Sequence, residues 1–258
     1  MLSRLVVLGS CGAWPEAGRA CSGYVLEHAG TRVVLDLGYG TLPRLLTWLD
    51  SPAADGIDAV VITHAHPDHV VDLHALLRVR WFTRRGAAAI PLYAPAGVLE
   101  ALVALEDGDA AAVTSVFAAH SLPADAQRVG ALTLESWPLP HHVPNAGVRL
   151  SAPDLAVAYT GDTGPHPALT DLGRDADLYI VEATDRHQQP GVAPAPPGPA
   201  LDLTAREAGA AAAAAGARRL LLTHFWPGND RQASRAAAQQ VYAGDVLLAE
   251  EDLVITLS

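Results

Sequence analysis

Cysteine is nearly missing from this chain: Cys11 and Cys21 are the only two in 258 residues, and they form neither a Cys-x-x-Cys pair nor a disulfide-dense frame. That excludes a disulfide-stapled secreted scaffold and leaves buried, reduced thiols, the expectation for a cytoplasmic protein. Long apolar runs are missing as well. The longest candidate, Ala208 to Ala217, is alanine-rich and about half the ~20 residues that a membrane span needs, so it reads as a helix of a soluble protein. The run Leu5 to Leu8 is too short for the apolar core of a secretory signal. Positive charge is scarce, with 17 Lys and Arg against 28 Asp and Glu and a formal net charge of -11. This balance excludes a broad basic face for gripping nucleic-acid backbones and speaks against full-length tRNA as substrate. With apolar runs spread evenly, the chain is expected to form a single domain over 1–258.

Histidine, by contrast, is concentrated. Thr63-His64-Ala65-His66-Pro67-Asp68-His69 packs three imidazoles and a carboxylate into six consecutive residues. The β-branched run Asp58 to Ile62 just before it reads as a buried strand that delivers a loop to a sheet edge. Neutral imidazole nitrogen and carboxylate oxygen are ligand types of Zn²⁺, and the stretch offers more of them than one open catalytic zinc takes from a protein. The surplus predicts a second metal.

Three further strands precede the motif, at Leu5 to Leu8, Gly23 to Glu27 and Arg32 to Asp36. Gly9-Ser10-Cys11-Gly12 reads as a turn, with a phosphate cradle as the alternative. Asp36, a carboxylate between leucines, needs a buried partner, and a ligand histidine is one such partner. Leu42 to Leu49 and Asp72 to Arg85 have helical spacing. The second carries Arg78, Arg80, Arg84 and Arg85, read as a solvated face with phosphate contact as the alternative, and His74, read as a packed or surface histidine. Pro91 to Ala94 reads as a strand, Val98 to Leu105 as a helix, and Val129 to Leu134 opens a second strand-rich half. His141 and His142 follow a strand around Trp137, so one can face a metal while the other faces solvent or substrate. Leu155 to Thr160 ends in Gly161-Asp162-Thr163-Gly164, a strand end free to place a carboxylate between two metals. After the strand Asp177 to Val181 come Glu182-Ala183-Thr184 and a proline-rich loop over 188–200. Thr204 and Glu207 have capping-box spacing before an alanine-rich helix to Gly216. Leu220 to Leu222 then leads into Thr223-His224, echoing the strand before Thr63-His64. Asp230 to Tyr242 reads as a helix, and Val246 to Leu248 and Val254 to Leu257 as closing strands.

Over nearly its whole length the chain resembles the metallo-β-lactamase superfamily, on Leu35-Asp36-Leu37-Gly38, the His64-x-His66-x-Asp68-His69 stretch, His141, Asp162 and His224, in that order. The resemblance implies an α+β fold, a four-layer αββα sandwich of two mixed β-sheets with the metals at the sheet edge. It implies two Zn²⁺, with Mn²⁺ or Fe as alternatives: one held by His64, His66 and His141, the other by Asp68, His69 and His224, with Asp162 bridging. A hydroxide between the metals would be the nucleophile. His141-x-Val143-Pro144 followed by Gly147 and Arg149 is similar to ribonuclease Z relatives, in which the first histidine is the ligand. Glu182-Ala183-Thr184 and the Leu203 to Gly209 helix start are similar to that branch too. Asp162 stands where true β-lactamases of the superfamily use a thiolate, and no C-terminal helical domain of the glyoxalase II kind is expected.

One position departs from that branch. Its members carry a histidine, thought to contact the scissile phosphate or protonate the leaving oxygen, where this chain has Asp202. An ionised aspartate there repels a phosphodiester unless burial or Glu182 raises its pKa. His187 is the residue expected to substitute, and Asp68 to accept a proton while ligating. The expected activity is a phosphodiesterase for a small cyclic nucleotide or related diester, acting by metal-bridged hydroxide attack. Hydrolysis of a carboxylic ester, lactone or thioester on the same metals is the first alternative, and a catalytically inactive metal-binding module the second. A small-molecule substrate is the expected partner, with no membrane contact; a homodimer is implied by resemblance alone.

Overall fold

The structure, a computed structural model, describes residues 3–188 and 200–257. Apolar residues on both faces of most strands dictate its layering, because a strand buried on two sides must be covered on two sides. In β1 (Ser3–Gly9), Leu5 and Val7 enter one buried cluster while Val6 and Leu8 enter another. The first half continues with β2 (Gly23–His28), β3 (Thr31–Leu37), α1 (Thr41–Leu49), β4 (Ala59–Val61), α2 (Pro67–Thr83), β5 (Ile90–Ala94), α3 (Val98–Leu105), α4 (Ala110–Val116) and β6 (Phe117–Ser121). The second half holds β7 (Gln127–Val129), β8 (Leu132–Leu139), β9 (Asn145–Ala152), β10 (Leu155–Tyr159), α5 (Ala168–Leu172), β11 (Leu178–Glu182), α6 (Ala205–Ala215), β12 (Arg219–Thr223), α7 (Arg231–Gln239) and β13 (Asp245–Leu248). The last strand, β14 (Val254–Leu257), returns to pair with β1.

Each half makes one mixed sheet, in the orders β14-β1-β2-β3-β4-β5-β6 and β13-β12-β11-β10-β9-β8-β7. In both, an antiparallel portion gives way to a parallel one: β3 to β6 run parallel in the first sheet and β10 to β13 in the second. Three apolar clusters separate four layers. One fills the space between the sheets, one packs α1 to α4 on the outer face of the first sheet, and one packs α5 to α7 on the outer face of the second. This is the αββα sandwich expected from the resemblance. No helix among the described residues is long and apolar enough to cross a membrane.

The structure corrects some element boundaries. Helix α2 begins at Pro67, not Asp72, because proline at the first helical position has its φ preset and gives up an N–H that would be unpaired anyway. Asp68 and His69 therefore ride on a helical turn. The second strand-rich half expected to open at Val129 to Leu134 does so on a hairpin of β7 and β8, since Gly130 turns the chain with a left-handed φ of 56°. Asp230 is the N-cap of α7, its carboxylate accepting from the N–H groups of Gln232 and Ala233. The proline-rich loop expected over 188–200 lies, apart from its two end residues, outside the described residues.

The capping box of α6 is formed: the Thr204 hydroxyl accepts from Glu207 N, and the Glu207 carboxylate accepts from Thr204 N at 2.8 Å. Thr204→Ala is expected to cost about 1 kcal/mol and to lower the melting midpoint by roughly 2–4 °C in a calorimetric scan.

Candidate metal centre

Parallel strands end together at one sheet edge, and the polar residues just beyond them converge there. From β4 the chain runs into His64 and His66, and the first turn of α2 brings Asp68 and His69. His141 follows β8, Asp162 follows β10, and His224 follows β12. Among the described residues these seven make two groups whose donor atoms lie within 4.8 Å of one another: His64, His66, His141 and Asp162, and Asp68, His69, Asp162 and His224. Asp162 belongs to both. In the first group His66 Nδ1 stands 3.1 Å from both His64 Nε2 and His141 Nε2. In the second, His224 Nε2 is 3.1 Å from an oxygen of Asp68 and 3.1 Å from one of Asp162, and His69 Nε2 is 3.2 Å from the other Asp162 oxygen.

Each imidazole is aimed by what holds its far nitrogen. His69 Nδ1 donates to Asp36 at 2.8 Å, and His141 Nδ1 donates to the carbonyl of Leu201 at 2.9 Å. His224 Nδ1 meets the hydroxyl of Thr184 at 2.7 Å, and that hydroxyl donates to Glu182 at 2.5 Å. Asp36 is fully buried and also accepts from Thr63 N, the Thr63 hydroxyl and the Tyr159 hydroxyl, at 2.7, 2.8 and 2.8 Å. Asp36 and His224 both hold a left-handed backbone, φ 55° and 53°, a cost of about 1–3 kcal/mol for a non-glycine residue that the surrounding bonds sustain. The turn at Gly9 to Gly12 spends its N–H groups inside the protein, on the carbonyls of Ala20 and Phe225, so it is no phosphate cradle. It serves the site otherwise: Ala13 N donates to Asp68 at 2.7 Å, and Gly12 packs so closely that a Cβ would lie 2.6 Å from the His224 ring.

The donor set suits divalent cations. Three nitrogens that face one another at contact distance cannot all be satisfied by protons, and His69 Nε2 and Asp162 Oδ1 are buried with no hydrogen-bond partner among the described residues. Burial holds His64 below the ordinary histidine range, and the neighbouring His69 adds to this, which favours the neutral, ligating form. Burial opposes charge on His69 and His224 too, but Asp162 and Asp68 outweigh it and push both upward. Asp162 is held well below the usual carboxylate range: burial works against its charge, and His224, His69 and His64 overcome that. Buried carboxylates at this density need compensating positive charge, which a cation among them supplies.

Above the two groups opens a cleft of about 140 Å³, lined among others by His66, His141, His142, Asp202, Arg186 and Trp226. Asp202 is therefore at the site, paired with Arg186 at 3.8 Å. His187 is not among the lining residues. It sits exposed in the 3-10 turn Arg186–Gln188, where successive side chains diverge, so Arg186 faces the cleft in its place. His74 bonds Glu106 at 2.8 Å, away from the site. Arg78 pairs with Glu106, and Arg80 and Arg84 with Asp55, as a solvated helix face would. Sequence reasoning missed Arg186, Trp226, Tyr159 and Ala13. Only Arg186 carried a signal, standing two residues beyond Thr184.

The family model described as the beta-lactamase superfamily domain matches residues 21–225. An uncharacterized protein of Mycobacterium tuberculosis is 33% identical over 251 residues, covering 94% of this chain and 88% of that one. A ribonuclease Z of Kineococcus radiotolerans is 31% identical, over 91% of this chain and 88% of its own. Among solved structures, the metallo-beta-lactamase fold protein YhfI from Bacillus subtilis superposes with a TM-score of 0.84 at 26% identity, covering 99% of both chains.

Asp36→Asn keeps the volume but turns an amide N–H toward groups that donate to the carboxylate. It is expected to weaken metal binding about 10–100-fold, as read by competition with a chromophoric chelator.

Proposed function

The chain belongs to the beta-lactamase superfamily, and from that premise we propose that it is a dinuclear phosphodiesterase for a small diester of the cyclic-nucleotide kind. The observation that carries the reading is Asp162, shared by two four-donor groups built only of nitrogen and oxygen. Such a donor set suits Zn²⁺, with Mn²⁺ or Fe as alternatives. His64, His66 and His141 would hold one ion, Asp68, His69 and His224 the other, and Asp162 both. When bound, such a pair would polarise a phosphoryl oxygen and lower the pKa of a water to about 7.

The chain's own residues do the rest. Asp68 lines the cleft and stays ionised, because His69 and His224 outweigh the burial that opposes its charge. One of its oxygens is fixed by Ala13 N, so the carboxylate is oriented to accept a proton from the attacking water. Asp36, Thr184 and Leu201 aim the imidazoles and keep them from turning. The size of the cleft supports a small substrate, and so does the net charge of -11, which gives no grip on a long polyanion. The ribonuclease Z of Kineococcus radiotolerans, at 31% identity, supports phosphorus over carbon as the centre attacked. The Asp202 carboxylate in the cleft favours the second reading, hydrolysis of a neutral carboxylic ester, but Arg186 at 3.8 Å offsets its charge.

Protein loaded with Zn²⁺ is expected to hydrolyse bis-p-nitrophenyl phosphate and cyclic AMP, to lose that activity on chelation and to regain it with added metal. Elemental analysis should return two ions per chain, falling by about one in His66→Ala, with essentially all turnover lost. Clear hydrolysis of aryl esters or lactones, with no phosphodiester turned over, sinks the proposal in favour of the second reading.

A further inference from the structure

We infer that Arg186 is the anion-recognition residue of this cleft, held by Trp226 and Asp202 so that it grips a singly charged phosphodiester, while Asp202 disfavours a doubly charged phosphate monoester. The inference rests on the phosphodiesterase reading, which it deepens by assigning the charge of the substrate to particular side chains. Among the described residues that line the cleft, Arg186 is the one permanently charged cation. The other arginines of note are committed: Arg78 is 2.9 Å from Glu106 and Arg80 is 3.0 Å from Asp55. At 3.8 Å the contact between Arg186 and Asp202 is an ion pair too long to be a hydrogen bond. The donors of Arg186 therefore stay available, and its Nε is buried with no hydrogen-bond partner among the described residues.

Arg186 is also held in place. Its guanidinium carbon lies 4.6 Å from the centroid of the Trp226 ring, which fixes the plane of the fork, and Trp14 packs edge-on against Trp226 at 5.1 Å. The preceding residue, Asp185, is buried, and its carboxylate accepts from Ala205 N at 3.0 Å and from the Ser234 hydroxyl at 2.5 Å. The backbone under Arg186 is thereby anchored to α6 and α7. A planar fork with free donors, seated beside the metal ligands, matches two oxygens of a phosphodiester. Asp202, on the same wall, places a carboxylate against any second negative charge. A diester carries one charge and a monoester product close to two, so the pair favours entry of the first and release of the second.

The test uses metal-loaded protein, steady-state hydrolysis of bis-p-nitrophenyl phosphate, and calorimetric binding of AMP as the monoester probe. Arg186→Gln is expected to raise KM for the diester by roughly tenfold with a smaller change in kcat, and to weaken AMP binding by a similar factor, at unchanged metal content. Arg186→Lys keeps the charge but not the fork and should fall between the two, which a merely structural role would not produce. Asp202→Asn should tighten AMP binding. Wild-type KM and wild-type AMP affinity in both Arg186 variants overturn the inference, as does an Asp202→Asn protein that binds AMP more weakly. Should the wild-type protein turn over no phosphodiester, the reaction proposed above fails, while the AMP measurements still decide whether Arg186 binds an anion.

Discussion

Everything at the sheet edge depends on one electrostatic demand: Asp162, buried and ionised, is surrounded by imidazole nitrogens of both donor groups. A carboxylate taken out of water costs several kcal/mol, so it persists only where opposite charge and directed donors surround it. Its neighbours are His64 and His141 at 3.7 Å on one side, and His69 and His224 at 3.2 and 3.1 Å on the other. They come from widely separated parts of the chain, and no short peptide could hold them against their own repulsion. The two sheets exist, in this sense, to keep seven polar side chains where water would otherwise disperse them.

That constraint explains why polar bonds run between the sheets just beneath the site. Tyr159 of β10 donates to Asp36 of β3, and Tyr24 of β2 bonds Thr223 of β12. Both tyrosines are fully buried, with their rings 5.2 Å apart. The cluster that fills the space between the sheets is apolar, and apolar packing does not specify sub-ångström alignment of one sheet edge on the other. Directed hydrogen bonds do. Asn145 acts likewise, donating to the carbonyls of Thr160 and Asp162 and so fixing the backbone from which the shared carboxylate projects.

Much of this was legible in the sequence because it is written locally. Short continuous apolar runs predict most strands, and the His64 to His69 stretch, Asp162 between glycines and the repeated Thr-His strand end announce the donors. The pairing of Asp36 with a ligand histidine also followed, since a carboxylate between leucines has few other ways to be buried. Less legible were features that depend on a turn's geometry or on partners far along the chain. Nothing in the spacing of residues 9–13 tells that Ala13 N reaches Asp68, or that Gly12 must lack a side chain to admit the His224 ring. His187 and Arg186 are neighbours in sequence, and only the 3-10 turn decides which of them faces the cleft.

Asp202 shows how a departure from a pattern can mislead when weighed alone. A carboxylate where the ribonuclease Z-like resemblance implies a cation-forming histidine changes the local charge by up to two units, which by itself argues against an anionic substrate. The structure sets Arg186 beside it, and the pair together is nearly neutral. A pair differs from a single histidine in kind as well as in sum, because guanidinium is always charged whereas imidazole is charged only below its pKa. Exchanging a protonated histidine for this pair lowers the local charge by one unit, and exchanging a neutral one leaves it unchanged. The exchange removes a general acid from that wall of the cleft, so protonation of the leaving oxygen has to come from elsewhere. In the proposed phosphodiesterase reaction the leaving oxygen of a cyclic diester is an alkoxide that needs that proton, and Asp68, which lines the cleft and takes the proton of the attacking water, is the residue placed to return it.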